Sequence, residues 1–223
     1  MNVNDVFEII NYAINKNQNG TLIAEDFNRI LPLAESGYIN YLLGSFSTYQ
    51  AGRPISKVEL GQNSIVRQRL SPIIKRLVIS VNSSGFAPYP ARYIQTDAMW
   101  TNNRDYKRIR WTDQYRWSSK NSSVIDPVSS NYIYMINDTG FEFSPISVGS
   151  ADLSYVQATI PITWGFTLDA NNRRVYSAST SVQPVWNDVI MLEIIVRALA
   201  LIGVNLQLKE VENYSQVIKN QGQ

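Results

Sequence analysis

The strongest pattern along the chain is an almost unbroken apolar run between Asn187 and Gly203. Asn187 or Asp188 can accept hydrogen bonds from the free N–H groups of a first helical turn, and Gly203 can take the left-handed conformation that ends a helix. Glu193 and Arg197 stand four residues apart, in the favourable order for an ion pair on a helix. The pattern therefore predicts a helix too short and too charged to cross a bilayer and buried on almost all sides, either as the spine of a core or as a surface that neighbouring subunits cover.

Two more helices are predicted at the start of the chain. Apolar residues recur at helical spacing over Val3–Asn17, and a second helix begins near Ala24 and continues to about Gly44. Pro32 lies inside the second pattern, so this helix is expected to kink or restart there. The turn at Asn19–Gly20 joins the two helices into a hairpin. Four apolar side chains of the hairpin are the expected contacts of the C-terminal helix: Phe7, Ile10, Ile14 and Phe27.

The segment after the hairpin is less regular. Ser45–Lys57 contains Gly52 and Pro54 and is predicted to be a loop or arm. Val58–Leu70 fits either a short helix or a continued arm, and Pro72 disfavours helical conformation in the residue before it.

The hydrophobic period changes to two from Ile73 onwards. Short runs rich in β-branched and aromatic residues alternate with turn residues, which predicts strands and hairpins. No alternation of strands with helices indicates βαβ units. The candidate strands lie at 74–81, 93–100, 109–112, 132–136, 141–144, 151–162 and 175–176.

The predicted fold class is therefore α+β, with N- and C-terminal helices forming a helical layer and a mostly antiparallel β domain inserted between them. Residues 1–72 form the helical hairpin and arm, and residues 73–183 form the β domain. Residues 184–223 form C-terminal helices that pack on the N-terminal ones. In this last segment, Val204–Leu208 is a spacer and Val211–Lys219 a short final helix.

Composition narrows the range of functions. The 223 residues include no Cys and no His, which excludes thiolate or imidazole metal ligands, Cys nucleophiles and His-assisted Ser nucleophiles. We therefore predict a protein that is not an enzyme and binds no cofactor. The formal net charge of +2 argues against electrostatic binding of nucleic acid over the whole protein surface. No charged segment followed by an apolar run opens the chain, so no signal peptide is expected.

Asn15–Asp26 has the spacing of a calcium-binding EF-hand loop, with Gly20 at the sixth position. Neutral Asn15, Asn17 and Asn19 occupy positions where carboxylates normally supply charge, and only Asp26 at the twelfth position is anionic. Three amides offset the dehydration of Ca²⁺ poorly, so a polar turn is favoured over a calcium-regulated helix pair.

A basic–aromatic segment, residues 104–120, holds the candidate contact residues. Cations beside aromatic rings suit single-stranded nucleic acid, because phosphates meet the cations and bases stack on the rings. They are also typical of subunit interfaces, and a third interpretation is a strand with a buried aromatic face and a solvated basic face. The candidates are Arg104, Lys107, Arg108, Arg110, Trp111, Tyr115, Arg116 and Trp117.

An acidic stretch follows the basic one. Residues 126–169 contain five carboxylates and no Lys or Arg: Asp126, Asp138, Glu142, Asp152 and Asp169. Basic and acidic segments in one β domain can meet between identical subunits, which is the complementarity that a head-to-tail interface needs.

Several short motifs occur in an order that runs over nearly the whole chain. They are Asn11, Asn15–Gly20, Asp26–Asn28, Ile125–Val128, Pro145–Ile146, Leu153–Val156, Ile160–Trp164, the apolar C-terminal helix and Leu201–Leu206. In these motifs the chain resembles a family of virion structural proteins of crAss-like and related tailed bacteriophages. The resemblance implies a ring-forming protein of the head-to-tail connector or tail barrel, but no catalytic residues.

The same resemblance implies the partners and the location. A homo-oligomeric ring, with a dodecamer the expected size, would contact the portal protein and other connector or tail ring proteins. Genomic DNA would only pass through its channel, and no membrane would be involved. The protein would reside in the virion after assembly in the host cytoplasm. The alternative function is a nucleic-acid-binding module that uses the basic–aromatic segment.

Overall fold

The computed structural model describes residues 1–16, 22–44, 64–102, 107–112, 117 and 132–203. Three helices precede three small sheets and a fourth helix follows them, so the predicted α+β class is confirmed. The chain divides into two compact units. A helical unit joins residues 1–48 to 160–223, and a β unit spans residues 49–159.

The described helices are α1 (Val3–Lys16), α2 (Ala24–Leu42), α3 (Ser64–Leu70) and α4 (Asp188–Ile202). The strands are β1 (Ile74–Ser80), β2 (Phe86–Pro88), β3 (Tyr93–Thr101), β4 (Arg110–Trp111), β5 (Ile133–Ile136), β6 (Gly140–Ser144), β7 (Ser150–Gln157), β8 (Phe166–Leu168) and β9 (Arg174–Tyr176). Two short 3₁₀ turns lie at Ser71–Ile73 and Ala178–Thr180.

The helical unit is organised around α4, against which α2 packs extensively and α1 to a lesser extent. Both predicted caps of α4 are confirmed: the Asn187 side chain accepts a hydrogen bond from the Ile190 N–H at 2.9 Å, and Gly203 is left-handed with φ 76°. α2 runs through Pro32 as one helix, so the expected restart does not occur. Tertiary packing of the helix outweighs the one hydrogen bond that Pro32 cannot donate.

The β unit contains a three-stranded sheet in the order β1-β7-β3 and a four-stranded sheet in the order β2-β6-β5-β4. Every pair is antiparallel except β4–β5, which is parallel. Side chains from both sheets form one core, whose buried members are Ile79, Ala87, Met99, Ile109, Tyr134, Phe141, Phe143, Val148, Ala151, Leu153 and Tyr155.

The boundary between the units falls inside the segment 73–183. Residues 160–183, including the β8–β9 hairpin, group with the helices. Trp164 explains this grouping: its N–H donates to the Asn28 side chain at 2.7 Å, and Asn28 Nδ2 donates back to the Trp164 carbonyl at 3.2 Å. The Trp164 ring also stacks on Phe7 with centroids 4.4 Å apart.

Candidate interaction surfaces

The two sides of α4 differ in exposure although both are apolar. One side is buried in the helical unit through Ile190, Met191, Ile194, Ile195, Ala198 and Leu199. On the other side Val189, Leu192, Val196 and Ala200 form an exposed row that we call the outer stripe. Val189 is 68% and Val196 53% exposed. Within one chain α1 and α2 cover one side of α4, so the helix is not the spine of a closed core, and cover by neighbouring subunits stays a prediction.

The charged residues beside the outer stripe are engaged within the helical unit. The Arg197 guanidinium lies over the ring of Tyr41 at 4.8 Å and near that of Tyr38 at 5.8 Å. Asp188, at the start of α4, pairs with the amino group of Met1. The stripe itself carries only aliphatic side chains, so it can bind a partner only by burying apolar surface.

Of the eight candidate contact residues, Lys107, Arg108, Arg110, Trp111 and Trp117 are described. Arg104, Tyr115 and Arg116 lie outside the described residues. Arg108, Arg110 and Trp111 are exposed, whereas Lys107 and Trp117 are half-buried. The structure therefore brings at least two cations and one aromatic ring together around the short strand β4.

Trp111 does not face the core, contrary to the interpretation of a strand with a buried aromatic face. The hydrogen bonds explain why. The Ile109 N–H donates to Met99 of the three-stranded sheet at 2.9 Å. One residue later, the Arg110 N–H donates to Tyr132, beside β5 of the four-stranded sheet, also at 2.9 Å. The chain thus crosses from one sheet to the other, and this crossing interrupts the period-two alternation. Ile109 is buried and Trp111 is 59% exposed, so the prediction that they share a buried face is wrong.

The carboxylates of the acidic stretch are distributed over both units. Asp138, Glu142 and Asp152 belong to the β unit and Asp169 to the helical unit, while Asp126 lies outside the described residues. Glu142 accepts a hydrogen bond from Asn137 Nδ2 at 2.6 Å, and Asp169 accepts two main-chain N–H groups in its own turn. Two of the carboxylates therefore have local structural partners.

An open cleft of about 380 Å³ lies in the helical unit near the predicted polar turn. Its lining residues are Phe7, Asn11, Asn15, Leu22, Ile23, Ala24, Trp164 and Arg174. Residues 17–21 of the EF-hand-like loop lie outside the described residues. Within the described ranges, no group of three His, Cys, Asp or Glu side chains is placed to hold a metal ion.

Two tyrosines of the β unit form a stacked pair. The rings of Tyr89 and Tyr93 lie 4.6 Å apart, and the Tyr93 hydroxyl is 2.8 Å from Thr96 Oγ1. Burial raises the pKa of both hydroxyls, and for Tyr89 the negative charges of ionised Tyr93 and of Asp138 add to the effect. Both groups remain neutral donors at physiological pH.

The scan against protein-family models gives no match, and no curated protein is significantly similar to the chain. None of the helices in the described part of the chain is long and apolar enough to cross a membrane. The function is therefore inferred from the exposed surfaces of the protein.

The sequence predicted a face of α4 for neighbouring subunits to cover but did not identify the residues of the outer stripe. Its residues repeat at intervals of three and four, as do those of the buried side, so periodicity alone marks two apolar faces without saying which is covered.

Proposed function

We propose that the protein is a structural subunit of a bacteriophage virion, a ring-forming adaptor of the connector or tail barrel between portal and tail. In this role identical copies form a ring, for which twelve is the expected number. The ring contacts the portal protein and neighbouring ring proteins, and genomic DNA only passes through its channel. The role requires neither catalysis nor a cofactor, and its location is the virion after assembly in the host cytoplasm.

The outer stripe of α4 is the observation that supports this proposal. Contiguous exposed apolar patches on a soluble protein mark surfaces that another protein covers. Here four aliphatic residues are aligned over about three turns of a well-capped helix, with the half-buried Glu193 at the margin of the row. A rigid apolar helix face is a suitable subunit contact, because little conformational entropy is lost when it is covered.

Native mass spectrometry of the purified chain, alone and mixed with the portal protein of the same virion, tests the proposal. We expect a closed oligomer in at least one of the two samples, and Val196→Asp to abolish it because a charge in an apolar interface is costly. Leu33→Asp is the matched control, since Leu33 is an equally exposed apolar residue on α2. Monomers in both samples, or equal loss of assembly in both variants, would contradict the proposal.

A second candidate function, binding of single-stranded nucleic acid, is favoured by the exposure of Trp111 beside Arg110. An exposed indole next to a guanidinium can stack on a base while the cation meets a phosphate. Titration with single-stranded DNA at two salt concentrations tests it. We expect affinity to fall steeply with salt, and Arg108→Ala with Arg110→Ala to reduce that slope. Affinity that does not depend on salt or on these residues would exclude this function.

A further inference from the structure

The outer edge of β1 is a second exposed surface, and it lies in the β unit. β1 is the last strand of its sheet, in the order β1-β7-β3, and pairs over seven residues with β7 without a bulge. The opposite edge of this sheet differs, because β3 is covered there by residues 107–109: Trp100 bridges Arg108, and the Thr101 N–H donates to the Lys107 carbonyl at 2.9 Å.

The register shows which main-chain groups point away from the sheet. The Val81 N–H donates to the Gly149 carbonyl directly opposite, so odd-numbered residues of β1 form the hydrogen-bonded pairs with β7. Antiparallel geometry then turns the N–H and C=O groups of Arg76, Val78 and Ser80 outward. No described residue donates to or accepts from these outward groups.

Side chains along the same edge are exposed in an ordered pattern. Lys75 and Arg76 form a basic half, and Leu77 and Val78 form an apolar half that is 46% and 49% exposed. Leu77 lies on the same face of the sheet as the buried Ile79, so an added strand would extend the core over it. Arg76 lies over the Trp100 ring of β3 at 5.2 Å, so its guanidinium reaches inward across β7 and Lys75 is the cation available at the edge.

We infer that the edge of β1 is a strand-addition site for an extended segment of another protein that carries carboxylates beside apolar residues. The outward N–H and C=O groups would bond its backbone, as in other cases in which a peptide is added to a sheet edge. A carboxylate opposite Lys75, with apolar side chains opposite Leu77 and Val78, complements the edge in charge and polarity. A basic strand is excluded by like-charge repulsion.

A short labelled peptide tests this site directly. Its first half is valine and threonine and its second half is glutamate and threonine, so that an antiparallel peptide places glutamate opposite Lys75. Fluorescence anisotropy should show saturable binding, weakened about tenfold or more when lysine replaces glutamate or when alternate peptide amides are N-methylated. Equal binding of all three peptides would overturn the inference.

Substitutions in β1 locate the binding to the edge. Val78→Pro removes an outward N–H that takes no part in the β7 ladder, and proline is tolerated on edge strands. Val78→Thr is the matched control that retains the N–H. We expect loss of peptide binding in the first variant and full binding in the second, with similar circular dichroism. The N-methylated peptide keeps the test valid if Val78→Pro does not fold.

The inference is independent of the proposed ring, and the experiment keeps the two apart. Val196→Asp, which is expected to prevent assembly through α4, should bind the acidic peptide as tightly as the unmodified chain. If Val78→Pro instead abolishes self-association while no variant binds the acidic peptide, the edge serves a second copy and the inferred acidic partner is wrong.

Discussion

Different kinds of interaction stabilise the helical unit and the β unit internally. In the helical unit, side-chain hydrogen bonds join residues far apart in sequence. Trp186 Nε1 donates to buried Glu35 at 2.6 Å, and Trp164 Nε1 donates to Asn4 at 3.0 Å. In the β unit, continuous main-chain ladders join the strands, and the core between the sheets is rich in aromatic rings.

Among the described residues, arginine–carboxylate pairs of the two units also lie in contrasting environments. In the β unit, Arg67 bonds Asp97 at 2.9 Å, and the Asp97 side chain is fully buried. Asp97 Oδ2 also accepts the Ser154 hydroxyl, whereas its Oδ1 has no partner. In the helical unit, Arg174 bonds Glu25 at 2.7 Å with both side chains partly exposed. The same chemical pair is therefore buried on its carboxylate side in one unit and partly exposed on both sides in the other.

The comparison shows where each unit has surface available for partners. The helical unit joins distant residues by side-chain hydrogen bonds and leaves an apolar helix face exposed. The β unit buries its apolar core and leaves main-chain hydrogen-bonding groups exposed at the edge of β1. Partners of the two units would therefore be recognised by different chemistry, by apolar complementarity in one case and by strand pairing in the other.

The largest expected effect is loss of folding in the Ile194→Asp variant. Ile194 is fully buried on α4, and a carboxylate there has no partner, so we expect a loss of more than about 4 kcal/mol in the free energy of unfolding. Urea denaturation followed by circular dichroism measures it. Val196→Asp, two residues along the same helix on its exposed side, should change stability by less than about 1 kcal/mol. Similar losses in both variants would mean that the outer stripe is covered within the protomer.

The two ion pairs provide the next test. Arg67→Met should cost about 3 kcal/mol, because it leaves the buried Asp97 carboxylate with only the Ser154 hydroxyl. Arg174→Met should cost at most about 1 kcal/mol, as exposed pairs usually do. Chemical denaturation of the two variants side by side gives both values. Adding Asp97→Asn to Arg67→Met should recover part of the loss, and absence of recovery would contradict the explanation by an unpaired charge.

Local signals in the sequence predicted the elements well. Asn187 and Gly203 ended α4 correctly because caps depend on a few adjacent residues. The candidate strands 132–136 and 141–144 are likewise confirmed, as β5 and β6. In the segment Val58–Leu70, the described part contains α3, so the helical alternative holds there, while residues 58–63 lie outside the described range.

Long-range features were not predictable in the same way. Which side of α4 is buried depends on where α1 and α2 contact it. The exposure of Trp111 depends on a segment that crosses from one sheet to the other. The grouping of residues 160–183 with the helices depends on Trp164 meeting Asn28, 136 residues earlier in the chain. None of these contacts can be predicted from hydrophobic periodicity, because the period identifies the apolar face of an element and not the residues that cover it.

Glycine to alanine substitution should change stability in opposite directions at Gly140 and at Gly37. A Cβ at Gly140 in β6 would lie 2.2 Å from the Ala87 carbonyl of the neighbouring strand, so we expect a loss of about 1–3 kcal/mol. A Cβ at Gly37 in α2 meets nothing within 4 Å, and alanine should stabilise the helix by up to about 1 kcal/mol. Thermal unfolding distinguishes the two. Gly149→Ala, with open space in the β unit, is the control and should be nearly neutral.

The smallest expected effect is a change in alkaline stability. Burial raises the pKa of Tyr93 above its ordinary value of 10.0, so the unfolded chain loses this proton before the folded protein does. The folded state then binds more protons, and the free energy of unfolding falls as pH rises above about 10. Tyr93→Phe removes this titration, so its stability should fall less steeply between pH 9 and about 11, although it also loses the contact with Thr96 at every pH. Denaturation curves at several pH values measure the slopes, and parallel slopes would show that Tyr93 is not buried in solution.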